Sequence, residues 1–489
     1  MRLSIYQQFQ KTAKSNKDKP FIIEEDNVLT FEETSKLIDK FSYYLESKIG
    51  LKKGDRIAFL LNNQLEFVIA LLSSNKLGLI VTPLNNRLTS EEIEYMVNAS
   101  AAKAIVFNSI YQEKISKIKE ALKIDAKIIK GLDIIGETKT CIQEDAFILF
   151  TSGTTGIPKG VLHTNKNSLF YANVMIEGLG FRPDMKHLIA APLYHAIGCE
   201  DQLIPAIILG QTVVLTNNTT PQNIAYLLER HSIDILLGPP SIFTLLILSG
   251  MAKRHRLLGT KVFGYAGAPM RPQVIKMLKK AFPHIKLFNF YGSTEVGGTI
   301  TILDDGYALS HAETVGKAVK GVEVRVLDKD EFVLDKIGEV VTRPNYMKGY
   351  VNADTEGVFF DGYLRMGDLG KLDKQGFLTL FGRIGDMMIV QGENVYPIEI
   401  ERVLIESGLL KEVCVIGRDT ILGQQPVAFV SPIEEDKERV IEKLKAICKE
   451  KLADFKRPRD FIVLKEIPKN PVGKIDKRKL SEILNLNKE

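Results

Sequence analysis

Along the first two-thirds of the chain the apolar positions alternate between two periods. Leu37, Phe41, Leu45 and Ile49 recur every four residues, the spacing of one helix face. RIAFLL (56–61) is a short unbroken apolar run and reads as a buried strand. QLEFVIALLSSNKLG (64–78) is helical and leads into a second strand, LIVTPL (79–84). SEEIEYMVNAS (90–100) predicts a helix, with Ser90 as N-cap and acidic residues in its first turn; AKAIVF (102–107) is the next strand. This strand–helix–strand rhythm predicts parallel sheets with helices on their faces, because parallel strands need a crossover that returns over the sheet.

Past about residue 315 the pattern changes. VEVRVLD (322–328), GEVVTRP (338–344) and GFLTLFGR (376–383) are short strands between turns, which predicts a β-rich subdomain. From about residue 385 a smaller α/β unit follows: a helix at YPIEIERVLIES (396–407), a strand at VCVIGR (413–418), and a charged amphipathic helix at 436–452.

Length and composition narrow the class. A chain of 489 residues exceeds one ordinary core and implies two to four domains or subdomains. The net charge of +5 is small for that size and gives no reason to expect a nucleic-acid partner. Cys141, Cys199, Cys414 and Cys448 are far apart, with no CxxC pair, so they read as reduced thiols; no histidine sits at metal-ligand spacing. The N-terminus has no apolar core of a secretory signal, and the most apolar stretch, 233–248, is broken by Asp234 and by Pro239-Pro240. A cytoplasmic location follows by elimination. Peripheral membrane contact stays open, and so does the choice between monomer and homodimer.

The strongest chemical signal is TSGTTGIPKG (151–160), directly after the apolar run FILF (147–150). A strand feeding a loop of small residues lets backbone N–H groups and hydroxyls approach anionic oxygens, and Lys159 adds a positive charge. A polar surface loop is the plain alternative, but Thr151, Ser152, Thr154 and Thr155 before Pro-Lys-Gly favour phosphate binding. The Walker A pattern G-x-x-x-x-G-K-[ST] fails on spacing, since Gly153 and Gly156 are too close and Lys159 precedes Gly160.

Further motifs follow in order: APLYHAIG (191–198), YAGAPM (265–270), NFYGSTE (289–295), YLRMGDLG (363–370), GRIGDMMIVQGENVYPIEIE (382–401) and PKNPVGKIDKRKL (468–480). With the phosphate loop they resemble the adenylate-forming (AMP-binding) superfamily of acyl-CoA synthetases, nonribosomal adenylation domains and luciferases, over nearly the whole chain. Each motif alone is weak to moderate; the ordered set is specific. The resemblance implies an α/β fold with a large N-terminal domain (1–384), made of two α/β subdomains plus a β-rich subdomain, and a small mobile α+β C-terminal domain (385–489).

It also implies roles. Thr151, Ser152, Gly153, Thr154, Thr155 and Lys159 would hold the ATP phosphates. Gly267, Ala268, Pro269, Asn289, Tyr291, Gly292, Ser293 and Thr294 would surround adenine, with Tyr291 offering a flat face for stacking. Glu295, with Thr154, would hold Mg²⁺, which takes hard oxygen ligands. Asp368 and Arg383 would reach the ribose. Alone, that pair would read as a structural ion pair, and Tyr291 as a core aromatic. Lys474 would be the catalytic cation bridging carboxylate and α-phosphate, together with Thr154 and Glu295. His195, Ile197 and Gly198 would wall the acyl pocket, with His195 as a gate. Gly392, Glu393 and Tyr396 would form the thioester-face loop. The hinge position is Gly385, where relatives usually carry Asp or Lys, so rotation would be less defined by side chains.

The implied activity is an ATP-, Mg²⁺- and CoA-dependent acid–CoA ligase. The apolar segment SIFTLLIL (241–248) leans the substrate toward a fatty acid, with aromatic acids as the alternative. An amino-acid or acyl adenylation enzyme loading a carrier protein is a weaker alternative, since such domains usually place an Asp in the pocket motif and PLYHAIG has none. A nucleotide-binding regulator without catalysis should lack Lys474 or Glu295, and both are present. FKRPRDF (455–461) is a basic run that reads as a solvated face before it reads as a CoA contact.

Overall fold

The computed structural model describes residues 3–134, 136–151, 158–344, 346–390, 393–420, 423–470 and 473–486. By internal packing the chain forms two compact units: Met1–Val324 with Val341–Arg365 and Gln375–Leu378, and Arg325–Val340 with Met366–Lys374 and Thr379–Glu489.

The first unit holds two large sheets. One has seven strands in the order Gly349–Tyr350, Lys159–Thr164, Asp145–Thr151, Ile80–Pro83, Arg56–Leu60, Ala104–Phe107, Leu122–Asp125. Its neighbours from Asp145–Thr151 to Leu122–Asp125 run parallel, as the strand–helix–strand rhythm predicts. The other has nine strands, with a parallel centre formed by Lys186–Ile189, Thr212–Leu215, Ile235–Gly238, Val262–Tyr265 and Lys286–Ser293. Helix Leu65–Leu77 packs against strands of both sheets, and every one of its residues is buried. That explains its lack of a polar face: a helix covered on all sides needs none.

The helix expected at 90–100 forms as Ser90–Ala99, but Ser90 is not its cap. Thr89 accepts from the Glu92 N–H while the Glu92 side chain accepts from the Thr89 N–H, a reciprocal pair that satisfies two free donors. With two adjacent hydroxyl residues, sequence alone could not tell which one stops the helix.

In the second unit, strands Leu410–Thr420, Gly423–Pro432 and Asp460–Val463 form a sheet. Helices Pro397–Glu406 and Lys437–Lys451 cover one core through Ile400, Leu404, Val440 and Leu444; helix Lys477–Leu486 closes another through Leu480 and Leu484. All four cysteines are free thiols, and three are buried. Among the described residues no helix is long and apolar enough to cross a membrane.

Candidate active site

Strand Asp145–Thr151 turns back into Lys159–Thr164, with Thr151 opposite Lys159. Ser152, Gly153, Thr154 and Thr155 lie outside the described residues; their flanks form the two arms of a hairpin. A Walker A loop opens a helix, so the strand that follows here removes that rival a second time. The exit arm is held closely. The Gly160 N–H donates to Asn352 Oδ1 at 2.8 Å, and Asn352 Nδ2 donates to the Pro158 carbonyl at 2.9 Å. A Cβ on Gly160 would sit 2.7 Å from Val351 Cγ2, so glycine lets these strands approach. Lys159 Nζ lies 5.1 Å from the Tyr350 ring.

Parallel strands put their carboxyl ends on one edge, where open α/β sheets bind ligands. The nine-stranded sheet delivers three motifs there. After Lys186–Ile189 comes the 191–198 segment, stitched by Asn63: its amide donates to the Ala191 carbonyl at 2.9 Å and its Oδ1 accepts from the Leu193 N–H at 2.8 Å. Sequence reasoning missed Asn63, which lies more than a hundred residues upstream. His195 is half-buried at the N-terminus of a short turn, its ring edge-on to Tyr194. Ile197 packs on the cluster that contains Ala266. A Cβ on Gly198 would meet the Pro192 carbonyl oxygen at 2.4 Å, so this glycine makes the turn possible. After Val262–Tyr265 come Gly267, Ala268 and Pro269, all exposed.

The segment 241–248, expected as a pocket wall, divides between core and solvent. In helix Pro240–Leu248, Ile242, Phe243, Leu246 and Ile247 fill the core, while Leu245 and Leu248 face solvent.

After Lys286–Ser293 the chain turns through Thr294 and Glu295. Tyr291, Ser293, Thr294 and Glu295 are half-buried and Gly292 is exposed. Asn289 is 8% exposed and already donates to the Thr314 carbonyl at 3.1 Å, so it braces the strand more than it offers a donor to a purine. His163, on the exit arm of the hairpin, bonds through Nε2 to the Thr294 carbonyl at 2.6 Å and is fully buried. Burial lowers its pKa to about 4, so the ring is neutral and donates. A single side chain thus ties the strand leaving the 151–160 loop to the turn carrying Glu295. No spacing rule announces that contact, because the partner is a backbone carbonyl.

Behind the 191–198 motif the chain makes one π-type turn, Cys199–Leu203. Glu200 and Asp201 on it are buried. Ser168 Oγ donates to Glu200 Oε1 at 3.0 Å; Glu200 Oε2 and Asp201 Oδ1 have no hydrogen-bond partner among the described residues. Burial pushes Glu200 up to about 8 and Asp201 up to about 7. Both folded pKa values lie above the unfolded ones. The stability these groups contribute is therefore full below the unfolded carboxyl range and is lost as pH rises through 7 to 8. The melting temperature should accordingly fall between pH 6 and pH 8.5. Glu200→Gln with Asp201→Asn should flatten that fall and raise the alkaline melting temperature by several °C, on the order expected for a few kcal/mol. An unchanged profile in the double variant, read by scanning calorimetry, would show that these groups are not the cause.

In the second unit, Asp368 Oδ1 lies 3.0 Å from Arg383 Nε, and Arg383 Nη1 donates to the Met366 carbonyl at 2.7 Å. The two expected ribose contacts thus form an ion pair with each other. Gly385 has nothing within 4 Å of where a Cβ would sit and does not adopt a positive φ, so this conformation does not itself require glycine. Asp386, the next residue, is held by Lys477 at 2.5 Å. Lys474 is exposed on a tight turn: its N–H donates to Asn470 Oδ1 at 3.0 Å, the Asn470 N–H donates to the Lys474 carbonyl at 2.7 Å, and Gly473 takes φ +81°. Glu393 is exposed on strand Glu393–Val395, and the Tyr396 ring packs 5.8 Å from that of Phe381; Gly392 lies outside the described residues. Asp454, just before the basic run, pairs with Arg457 at 3.3 Å and Arg459 at 3.0 Å, which offsets part of the run's charge.

Among the described residues no three His, Cys, Asp or Glu side chains gather into a metal cage. A lone carboxylate such as Glu295 fits Mg²⁺ nonetheless, since that ion takes one or two carboxylates and completes its shell with phosphate oxygens and water.

Residues 9–351 match the AMP-binding enzyme family, and residues 399–474 match the AMP-binding enzyme C-terminal domain. A 2-succinylbenzoate–CoA ligase of Listeria monocytogenes is 31% identical over 477 residues, covering 97% of this chain and 98% of that enzyme. Among solved structures, o-succinylbenzoate CoA synthetase from Bacillus subtilis in complex with its acyl-adenylate intermediate is similar with a TM-score of 0.89, at 27% identity over 98% of each chain. The same enzyme with ATP and a magnesium ion gives 0.88, at 27% identity over 97% of this chain and 99% of that one.

Proposed function

Because the chain belongs to the AMP-binding enzyme family, we propose that it activates an aryl carboxylic acid as the acyl-adenylate and passes the acyl group to CoA. It is an acid–thiol ligase of the AMP-forming class. The substrate carboxylate, ionised near neutral pH, attacks the α-phosphorus of ATP and pyrophosphate leaves; the CoA sulfur then attacks the acyl carbon and AMP leaves. The first step needs no general base. Positioning and charge neutralisation carry it.

The observation that carries the substrate reading is the 31% identity to a 2-succinylbenzoate–CoA ligase across 97% of the chain. The fatty-acid reading leaned on an apolar segment, 241–248, that divides between core and solvent. A panel of acids, including 2-succinylbenzoate, benzoates and saturated acids of increasing length, read as CoA thioesters by mass spectrometry, tests this. The highest kcat/KM should fall on an aryl acid; a long-chain saturated acid in first place overturns it.

In this reading Glu295 and Thr154 would hold Mg²⁺, which would supply charge neutralisation for the phosphates. The hydroxyls of 151–155 and Lys159 cradle the phosphates. Tyr291 stacks on adenine against Gly267–Pro269, and Asp368 accepts from the ribose hydroxyls while Arg383 fixes its orientation. His195, Ile197 and Gly198 border the acyl group. Gly385 is the pivot, with Asp386 anchored by Lys477, and Glu393 and Tyr396 belong to the thioester-forming face with Gly392.

His163 would act here through the Thr294 carbonyl, as a positioning residue for Glu295. Groups that orient a metal ligand typically cost about tenfold or more in metal affinity when removed. In acid-dependent ATP–pyrophosphate exchange, Glu295→Gln should raise the Mg²⁺ concentration for half-activation. His163→Leu should do the same by about tenfold, and His163→Gln, whose amide N–H can still donate, should recover most of it. A shifted melting temperature with unshifted Mg²⁺ dependence in His163→Leu would reduce the contact to packing.

A further inference from the structure

Charge along this chain is unevenly placed. Residues 221–290 hold ten Lys and Arg against two Asp and Glu, a net +8, while the whole chain is +5, which leaves −3 for everything else. The two acids are occupied: Glu229 with His255 at 2.6 Å, Asp234 with Lys261 at 2.5 Å. Arg230 pairs with Asp26 and Lys279 with Asp305. Lys253, Arg254, Arg256, Lys276 and Lys280 are exposed and have no ion-pair partner among the described residues.

The same stretch carries exposed apolar side chains. Leu245 is 50% exposed, Leu248 67% and Leu258 75%. Leu245 and Leu248 are one turn apart on helix Pro240–Leu248, and Lys253, Arg254 and Arg256 lie between them and Leu258 in the chain. That helix packs against helices Pro221–Arg230 and Pro272–Ala281, which add exposed Tyr226 and Met277. Exposed leucines and unneutralised cations thus occur together in one short stretch of chain. They are complementary to a surface that offers both an apolar layer and negative headgroups.

We propose that this face docks on an anionic lipid bilayer. The leucines enter the boundary between headgroups and acyl chains, and the five open cations sit over the headgroup charge. A symmetric contact with a second copy would oppose the five open cations to the same five, and a nucleic acid has no acyl layer to receive the leucines. Those two occupants are therefore disfavoured by the same residues that favour the bilayer.

The full-length protein should co-sediment with vesicles of phosphatidylcholine containing roughly 30 mol % phosphatidylglycerol, and much less with phosphatidylcholine alone. Leu248→Ser with Leu258→Ser should weaken that partition at least about tenfold, and Lys253→Glu with Arg254→Glu should weaken it by a similar or larger factor. Both variants alter exposed side chains outside the motifs, so melting temperature and vesicle-free ATP–pyrophosphate exchange should match the parent and report intact folding. Failure to bind anionic vesicles overturns the proposal. So does binding that survives the leucine substitutions and is displaced equally by RNA, which indicates a generic polyanion site. Loss of a dimer in the leucine variant, seen by light scattering without loss of vesicle binding, assigns the face to a second copy and overturns it as well.

Discussion

Replacing Lys474 with alanine is expected to slow acyl-adenylate formation about a hundred- to a thousandfold, the usual cost of removing one fixed group that stabilises transition-state charge. The conversion of supplied acyl-adenylate to acyl-CoA should stay within a fewfold of the parent. Charge moves from the carboxylate onto phosphate oxygens as the acid attacks, and an ammonium held between them lowers that barrier without moving a proton. The turn carrying the residue suits this. Asn470 closes it from both directions, through its side chain to the Lys474 N–H and its own N–H to the Lys474 carbonyl, and Gly473 supplies the positive φ of +81° that such a tight reversal requires. Lys474 is thus tied to Asn470 through its backbone while its side chain is exposed. Lys474→Arg keeps the charge but changes its shape and should recover only part of the rate. The two half-reactions are separated by measuring pyrophosphate exchange with acid and ATP, then thioester formation from synthetic acyl-adenylate. An equal loss in both would show that Lys474 serves the folded state and not the first step.

What sequence could and could not reveal follows from the range of each signal. Strands such as Arg56–Leu60 and Ile80–Pro83, and the helix at Leu65–Leu77, were legible because period and apolar content are local. The order of motifs gave the family, and the matches over 9–351 and 399–474 agree with it. Contacts between distant segments left no local mark: Asn63 under the 191–198 turn, His163 against Thr294, and Glu200 and Asp201 buried behind that turn. The lean toward a fatty acid rested on a signal of the same kind, and the relatives favour the aryl-acid alternative. An apolar run such as 241–248 looks the same whether it faces a ligand, a core or solvent, and only its packing tells which. Asp368 and Arg383 show the reverse case, since the ion pair that charge alone suggested is what forms.

Gly292 was legible only as part of a nucleotide motif, yet packing gives it a stronger requirement. Strand Lys286–Ser293 pairs antiparallel with Gly298–Leu303, and the register slips between Tyr291 and Gly292. That irregularity brings Gly292 against the facing backbone: a Cβ there would lie 1.8 Å from the Gly298 carbonyl oxygen and 2.8 Å from its carbon. Neither atom belongs to a side chain that could swing away, so alanine must open the strand pair. Gly292→Ala should destabilise the protein by about 3 kcal/mol, the upper range for overpacking. Tyr291 is the residue before Gly292 and the Glu295 turn follows Ser293, so both lie at the opened end of the strand pair and exchange should fall about a hundredfold, as a displacement near 1 Å can cost. Gly267 provides the contrast. Its φ is +82°, but nothing lies within 4 Å of a built Cβ, so Gly267→Ala meets backbone strain alone and should cost only about 1 kcal/mol. Chemical denaturation and ATP–pyrophosphate exchange on the two variants separate these causes. If Gly292→Ala were as mild as Gly267→Ala, the strand pair would have to yield at little cost, and the link between this bulge and the Glu295 turn would fall with it.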